Sequence, residues 1–365
     1  MTPEISPLEL LGALEGGEPI QVLDVRAPEY LASGRISWTA PASSVTATFF
    51  NLTSSALALL DDPAQAGLDR ALPVAVVCAR GSASRGAALL LRSFGFAAHS
   101  VRGGMAAWSV AHRRFDLEPP PGFHTLQVFD RFAHGRRTIL LGAGDGAVLV
   151  DPGRNLVPFL ASARELGLAI RAAVDTHLHA DVYSGAAGLA EHVGCPYFLS
   201  AADAEGSRRA TTAIPPGGTI ACGTSAIGIL ATPGHTAGSV TLVAGDAFLT
   251  GDFLLCDAVG RIESGRGSAL ADSLRAAAAW PAAGRVIPSY GAAGLVERPL
   301  GMLRELLRRG TAAAAAAAPV PLDAREQALR RANLGLETPD QATVQGLEVL
   351  SRDLRLDTAR WIEAC

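Results

Sequence analysis

A short polar segment that directly follows an apolar run limits most strongly what this chain can fold into. The apolar run at residues 168–174 is typical of a buried strand, and residues 175–181 after it read D-T-H-L-H-A-D. The residues that follow predict a turn leading into a helix. Two imidazoles and a carboxylate at alternate positions past a strand end can converge on one point, and these groups together indicate a metal ion.

Two later segments have the right form to complete such a site. Residues 232–239 read T-P-G-H-T-A-G-S, which predicts a turn that lifts His235 off the end of a strand. The apolar run at residues 247–249 is followed by Thr250-Gly251-Asp252, which places a carboxylate at its end. A single histidine is more often a hydrogen-bonded core residue than a ligand. The three motifs in this order nevertheless predict a metal site.

Size and composition limit the remaining possibilities. With 365 residues the chain is long enough for two domains at roughly 150 residues each. The net charge is -4 and the arginines are scattered among acids, so we expect no nucleic-acid partner. The alanine run at residues 312–318 is shorter than the ~20 apolar residues that span a bilayer, so we expect no membrane segment. Five widely spaced cysteines and no visible signal peptide favour a cytoplasmic protein.

The first part of the chain places a cysteine at the end of a predicted strand. Residues 19–26 and 74–78 predict two buried strands, and the second ends at Cys78. A small polar loop (79–86) and a helix (87–94) follow. Loop amides and a helix N-terminus can stabilise a thiolate or a bound sulfur oxyanion. Alternating strands and helices predict an open parallel α/β sheet. The alternative is that Cys78 is a small buried hydrophobic residue.

Three motifs in this region resemble the rhodanese domain: L-D-V-R from residue 23, C-x-x-G-x-x-S from Cys78, and V-R-G-G-M-x-A-W at residues 101–108. The resemblance implies a sulfurtransferase-like domain over residues 1–115, with Cys78 as the residue that carries a persulfide. Most rhodanese loops have an arginine five residues after the cysteine, where this chain has Ala83. Arg80 or Arg85 is expected to supply that charge.

A proline-rich stretch at residues 117–122 predicts a stiff join, and the pattern changes beyond it. Residues 137–142 and 147–151 flank a Gly-Asp-Gly turn, which predicts a hairpin. This hairpin, its D-P-G ending and the three metal motifs resemble the metallo-β-lactamase fold. The resemblance implies an αββα sandwich over residues 123–300. Residues 301–365 predict a helical C-terminal extension, packed on the sandwich or forming a subunit contact, which leaves a homodimer open.

Two residues depart from the pattern of the dinuclear zinc hydrolases of this fold. Those enzymes read H-x-H-x-D-H, and Val182 stands at the last histidine. They also carry a late histidine after a strand, where this chain has Tyr290. A second metal ion would therefore find only the carboxylates of Asp181 and Asp252. We expect one ion in this site.

The groups that remain resemble the persulfide dioxygenase branch of the fold. That branch binds one iron through the first histidine of H-x-H, the histidine of P-G-H-T and the aspartate of T-G-D. It also keeps the two histidines that Val182 and Tyr290 replace here, although neither of them binds the iron. The resemblance implies one Fe(II) per chain, held by His177, His235 and Asp252. His179 and Asp181 then orient ligands or hold water.

The same resemblance implies a glutathione-like persulfide and O₂ as substrates. Arg261 matches the arginine that contacts the glutathione part of the substrate. A guanidinium can hold a peptide carboxylate through two parallel hydrogen bonds, although a solvated surface arginine is the alternative. Tyr290 is expected to offer a phenolic hydrogen bond to a bound sulfur or oxygen species.

The sequence thus predicts a rhodanese domain fused to a persulfide dioxygenase, with Cys78 transferring sulfane sulfur. Two alternatives remain. The first is a zinc-dependent thioester hydrolase that resembles hydroxyacylglutathione hydrolase. The second is a non-enzymatic sulfur carrier or sensor that uses Cys78 alone.

Overall fold

The structure is a computed structural model that describes residues 3–36, 48–214, 217–263, 267–291 and 295–337. The chain divides between Arg113 and Arg114 into two compact units. This division lies close to the predicted boundary at residue 115. The proline-rich residues 117–122 lie inside the second unit, where they connect two strands of one sheet.

The first unit is a parallel sheet with helices. Its elements are β1 (Glu4–Ile5), α1 (Pro7–Glu15), β2 (Gln21–Asp24), a 3₁₀ helix (Pro28–Ser33), β3 (Thr48–Asn51), α2 (Ser54–Ala58), a second 3₁₀ helix (Pro63–Ala66), β4 (Val74–Val77), α3 (Ser82–Ser93), β5 (Ala98–Val101) and α4 (Gly104–Val110). The described strands lie in the order β1-β5-β4-β2-β3, and every pair is parallel. The predicted open parallel sheet is confirmed. The β-branched run of β4 is buried throughout, as expected for a central strand.

Helix α3 begins five residues earlier than the sequence predicted. Gly81 has φ +89°, a left-handed conformation that glycine adopts readily, and the chain enters the helix at the next residue. A Cβ at Gly81 would lie 2.9 Å from the Gly103 nitrogen, so the turn also needs a residue without a side chain. The loop after Cys78 is therefore short, and Ser84 and Arg85 belong to the helix rather than to the loop.

The second unit contains two sheets. Its elements up to the second sheet are β6 (Arg113–Asp116), β7 (Thr125–Arg131), β8 (Arg136–Ala143), β9 (Gly146–Val150), α5 (Val157–Glu165), β10 (Ala169–Val174), α6 (Ala186–Val193), β11 (Tyr197–Leu199) and β12 (Thr212–Ala213). The remaining ones are β13 (Thr219–Cys222), β14 (Ser225–Ala231), β15 (Val240–Ala244), β16 (Ala247–Gly251), α7 (Gly267–Ala277), β17 (Arg285–Pro288), β18 (Arg298–Pro299), a 3₁₀ helix (Leu300–Leu303), α8 (Arg304–Ala316) and α9 (Ala324–Asn333).

The sheets of the second unit are both mixed. Within the described residues, the order of one is β12-β11-β10-β9-β8-β7-β6 and that of the other is β13-β14-β15-β16-β17-β18. Strands β9, β10 and β11 are parallel, whereas the predicted hairpin β8–β9 is antiparallel. Strand β16 pairs with β15 antiparallel and with β17 parallel.

The main core lies between these two sheets, and helices cover their outer faces. In β8, Ile139 and Leu141 join the core between the sheets, while Leu140 points to the opposite face and packs with α5 and α6. This alternation follows from the two-residue period of a strand. Helices α7 and α8 pack on the other side, in a cluster that includes Val286 of β17. The predicted αββα sandwich with C-terminal helices is confirmed.

The C-terminal helices follow the predicted segments. Helix α9 begins at a capping box, in which Asp323 accepts from the Glu326 amide and the Glu326 side chain accepts from the Asp323 amide. The helix predicted at residues 343–354 lies outside the described residues. In the part of the chain that the structure describes, every helix is too short or too polar to cross a lipid bilayer.

Candidate metal centre and thiol site

Each of the three predicted metal ligands follows a strand end in the second unit. His177 comes after β10, His235 lies in the turn between β14 and β15, and Asp252 follows β16 directly. Gly251 has φ +55°, and a Cβ there would lie 2.4 Å from the Thr176 hydroxyl oxygen. The glycine of T-G-D is therefore required for the close approach of the segments that carry Asp252 and His177.

The structure brings these three side chains together. The ligand atoms of His177, His235 and Asp252 lie within 4.8 Å of one another, and all three residues are buried. The Asp252 Oδ2 atom is 3.8 Å from His177 Nε2 and 3.9 Å from His235 Nε2. The two imidazole rings are 4.7 Å apart between centroids.

These residues fit a metal ion. His177 Nε2 and Asp252 Oδ2 are buried and have no hydrogen-bond partner, which is costly unless a cation binds there. His235 Nδ1 lies 2.8 Å from the Arg261 carbonyl oxygen, so Nδ1 carries the proton and Nε2 keeps its lone pair. Burial and the neighbouring imidazoles lower the pKa of His177 well below its ordinary value, which keeps the ring neutral and able to bind a cation.

His179 lies outside this group and contacts a pair of carboxylates. Its Nε2 atom is 3.4 Å from Asp151 Oδ1 and 3.8 Å from Asp175 Oδ1. Burial lowers the pKa of His179, but the Asp151 carboxylate outweighs it and raises that pKa to about 9. Burial also raises the pKa of Asp175 to about 6. Asp151 and Asp175, to which the sequence assigned no site role, thus hold His179 beside His177, at 4.2 Å between ring centroids.

Asp181 and Tyr290 meet at an arginine to which the sequence analysis assigned no role. Arg136, the first residue of β8, donates from Nε to Asp181 Oδ2 at 2.7 Å and from Nη1 to Asp252 Oδ1 at 2.7 Å. Its guanidinium carbon is 4.9 Å from the centre of the Tyr290 ring. Val182, next to Asp181, is buried.

Arg261 is buried, and its guanidinium is already ion-paired. Its Nη2 atom donates to Glu263 Oε1 at 2.6 Å and to Glu326 Oε1 at 2.8 Å. The predicted contact with a substrate carboxylate stays a prediction. The geometry adds a second role, because Arg261 links helix α9 to the segment that follows Asp252.

Two buried polar residues, neither of them predicted from the sequence, hold the ligand-bearing loops. The Asp203 carboxylate accepts hydrogen bonds from the Leu178 amide at 2.8 Å, the Thr236 hydroxyl at 2.7 Å and the Gly238 amide at 2.9 Å. It therefore ties the His177 loop to the His235 loop. Asn333, at the end of α9, donates to the carbonyl oxygens of His179 and Val182 at 3.0 and 2.8 Å. No local motif marks either residue.

The cysteine of the first unit has the surroundings of a reactive thiol. Cys78 Sγ accepts a hydrogen bond from the Gly81 amide at 3.1 Å and lies 3.3 Å from Ser84 Oγ. Burial raises the pKa of the Cys78 thiol, but these hydrogen bonds outweigh it and hold the pKa below its ordinary value. Of the two predicted arginines, Arg80 is exposed, and Arg85 pairs with Glu4 at 3.1 Å instead.

Replacing Ser84 with alanine is expected to make Cys78 less reactive near neutral pH. The Ser84 hydroxyl stabilises the thiolate, so its removal raises the pKa of Cys78. At a pH below that pKa, a smaller fraction of the protein then carries the thiolate. The measurement is the alkylation rate of Cys78 by iodoacetamide against pH, followed by mass spectrometry of its peptide. Ser93→Ala, on the same helix, is the control. The Ser93 hydroxyl donates to the Leu90 carbonyl, so this variant should leave the midpoint of the rate–pH curve unchanged. A midpoint that stays fixed in Ser84→Ala contradicts this role.

Comparisons with known proteins agree with the two-unit fold. Residues 6–111 match the rhodanese-like domain, and residues 133–289 match the metallo-beta-lactamase superfamily. The chain therefore joins a rhodanese-like domain to a metallo-beta-lactamase domain, as its motifs predicted. A metallo-beta-lactamase structure from Staphylococcus aureus is 20% identical, has a TM-score of 0.52, and aligns over 63% of this chain and 74% of its own. At that identity it supports the fold alone.

Similar curated proteins of the metallo-beta-lactamase part carry two different names. A hydroxyacylglutathione hydrolase from Acidiphilium cryptum is 33% identical over 172 residues, 47% of this chain and 66% of the relative. The human mitochondrial persulfide dioxygenase ETHE1 is 38% identical over 138 residues, 36% of this chain and 53% of the relative. The chain thus spans between about half and two thirds of these relatives, whose names favour neither activity over the other.

Proposed function

We propose that this protein is a persulfide dioxygenase with a single Fe(II), which oxidises a low-molecular-weight persulfide to sulfite and thiol. The observation that carries the proposal is the ligand set itself. Two imidazoles and one carboxylate face a common point, and the positions that would supply further imidazoles hold Val182 and Tyr290. Such a set, open on its other side, suits non-haem Fe(II) and O₂ chemistry.

The proposed reaction is balanced in atoms and electrons. A persulfide RSSH reacts with O₂ and H₂O to give RSH, sulfite (SO₃²⁻) and two protons. The terminal sulfur loses four electrons and O₂ gains them, so no other oxidant is needed. When bound, the iron would supply this redox chemistry. The protein's part is to hold the ligands: the Arg261 carbonyl orients His235, and Asp203 keeps the two histidine loops together.

A glutathione persulfide is the substrate that the comparisons support best. Hydroxyacylglutathione hydrolases are named for a glutathione substrate, and ETHE1 is named for a persulfide. A glutathione persulfide combines the two features. Val182 and Phe253, which follow Asp181 and Asp252 in the chain, are apolar and buried, and apolar neighbours of this kind suit a sulfur species.

The rhodanese-like domain is proposed to carry sulfane sulfur on Cys78. Attack of the Cys78 thiolate on a sulfane donor forms the S–S bond of a persulfide and releases the donor's thiolate or sulfite. A thiol acceptor, such as glutathione, then takes the outer sulfur and returns Cys78 to the thiolate. Sulfite as acceptor would yield thiosulfate. The hydrogen bonds from Gly81 and Ser84 support the thiolate in both steps.

The test is oxygen consumption by protein that is loaded with Fe(II) under anaerobic conditions and then given glutathione persulfide. We expect one O₂ consumed and one sulfite formed for each persulfide, and no uptake by the zinc-loaded protein. The hydrolase alternative predicts the reverse: zinc held at two ions per chain and hydrolysis of a glutathione thioester. That result, or an iron-loaded protein that consumes no O₂, would overturn the proposal.

A further inference from the structure

A buried cation of the protein itself lies beside the metal ligands. Arg136 is 8% exposed, and its three guanidinium nitrogens all contact carboxylates. Nε and Nη2 donate to Asp181 Oδ2, and Nη1 donates to Asp252 Oδ1. Asp252 is therefore shared: Oδ1 is bound by Arg136, while Oδ2 faces His177 and His235 without a hydrogen-bond partner.

We propose that the Arg136 guanidinium takes the place of a second metal ion, so that the centre is restricted to one ion. Asp181 and Asp252 are the two carboxylates that a neighbouring ion would need, and the guanidinium already bridges them. The inference rests on the metal centre of the proposed function, but not on the reaction proposed there.

The charges explain why the arginine is stable in this position. A guanidinium between two carboxylates is paired on both sides, and arginine keeps its positive charge in proteins. A divalent ion would have to displace it. Displacing it would leave a largely buried cation without its carboxylate partners, which is strongly unfavourable. The vacated position would then offer mainly oxygen ligands, which hold zinc and iron poorly.

The same contacts position a ligand of the first ion. Because Nη1 holds Asp252 Oδ1, the carboxylate cannot turn to present both oxygens to the ion at the two imidazoles. Arg136 is thus a positioning residue that makes Asp252 a one-oxygen ligand. Tyr290 supports it from one side, with its ring 4.9 Å from the guanidinium carbon.

The experiment places histidines at positions 182 and 290, in one variant that keeps Arg136 and in another that lacks it. In the Val182→His/Tyr290→His double variant, Arg136 remains and we expect one zinc ion per chain. Adding Arg136→Ala is expected to raise the content to two, whereas Arg136→Lys, which keeps the charge, should stay at one. Zinc is added in excess, free metal is removed by gel filtration, and bound metal is measured by plasma mass spectrometry. Arg285→Ala in the double variant is the matched control, since Arg285 pairs with the distant Asp246 and Glu297.

Two results would overturn the inference: two ions in the double variant, or one ion in a folded triple variant that lacks Arg136. If the triple variant does not fold by circular dichroism, zinc titration of the double variant decides, because it has both imidazoles and keeps Arg136. Saturation at one ion under excess zinc supports the inference, and a second ion bound with micromolar affinity overturns it. A wild type that binds one ion but consumes no O₂ would remove the proposed reaction and leave this inference standing.

Discussion

Asp252→Ala is expected to abolish O₂ uptake and to lower the affinity for iron about 10²- to 10⁴-fold. The substitution removes the only carboxylate among the three grouped ligands and leaves the Arg136 cation without one of its partners. Loss of one partner from a buried charged set costs roughly 3–5 kcal/mol, which corresponds to that range of affinity. Iron content after gel filtration and oxygen-electrode traces with glutathione persulfide measure both effects.

Asp246→Ala is the matched control for this variant. Asp246 stands just before β16, whereas Asp252 stands just after it, and the Asp246 side chain is 44% exposed and paired with Arg285. An exposed pair of this kind contributes about 0–1 kcal/mol, so iron content and uptake should match the wild type. If Asp252→Ala keeps its iron and its uptake while Asp246→Ala behaves as expected, Asp252 is not a ligand.

Asp203→Asn is expected to weaken the hydrogen bonds that hold the His177 and His235 loops, although Asp203 itself is not a metal ligand. One carboxylate oxygen becomes an amide nitrogen that faces hydrogen-bond donors, so at least one of the contacts with Leu178, Thr236 and Gly238 is lost. Hydrogen bonds to buried charged groups contribute roughly 1.5–3 kcal/mol each. We therefore expect the free energy of unfolding to fall by about 2–4 kcal/mol, and iron affinity to fall about 10- to 100-fold.

Urea unfolding of the metal-free protein and iron titration separate these two effects. Asp145→Asn serves as the control, because Asp145 is 76% exposed and should change stability by less than about 0.5 kcal/mol. Should Asp203→Asn lose stability yet bind iron as the wild type does, Asp203 supports the fold but does not position the ligands.

Much of the candidate metal centre could be predicted because each motif stands at the end of an apolar run. His177, His235 and Asp252 follow strands that the pattern marks, and the packing of the two sheets brings their side chains together. The helix start at Ser82 was predicted too late, since small residues carry little periodic signal and one left-handed glycine ended the loop. The position of Cys78 after its strand was still right.

The partners of those side chains could not be predicted. Arg136 meets Asp181 and Asp252 from 45 and 116 residues away, and Asn333 reaches the His179 loop from 154 residues away. A charged residue at a strand start or a helix end looks the same in a sequence whether it faces water or a buried carboxylate. The proline-rich stretch at 117–122 is a similar case: its composition indicates a stiff connection, but not which strands it connects.

The amino-acid sequence alone was enough to predict the two folds, the strands that carry the site and the three side chains that can share an ion. These depend on short-range patterns: a period of two in strands, glycines at tight turns and polar groups at strand ends. Which charges meet depends on long-range packing, which places Arg136 between two carboxylates and Asp203 between two loops. Burial explains this difference, because polar groups removed from water must find partners wherever the fold brings them.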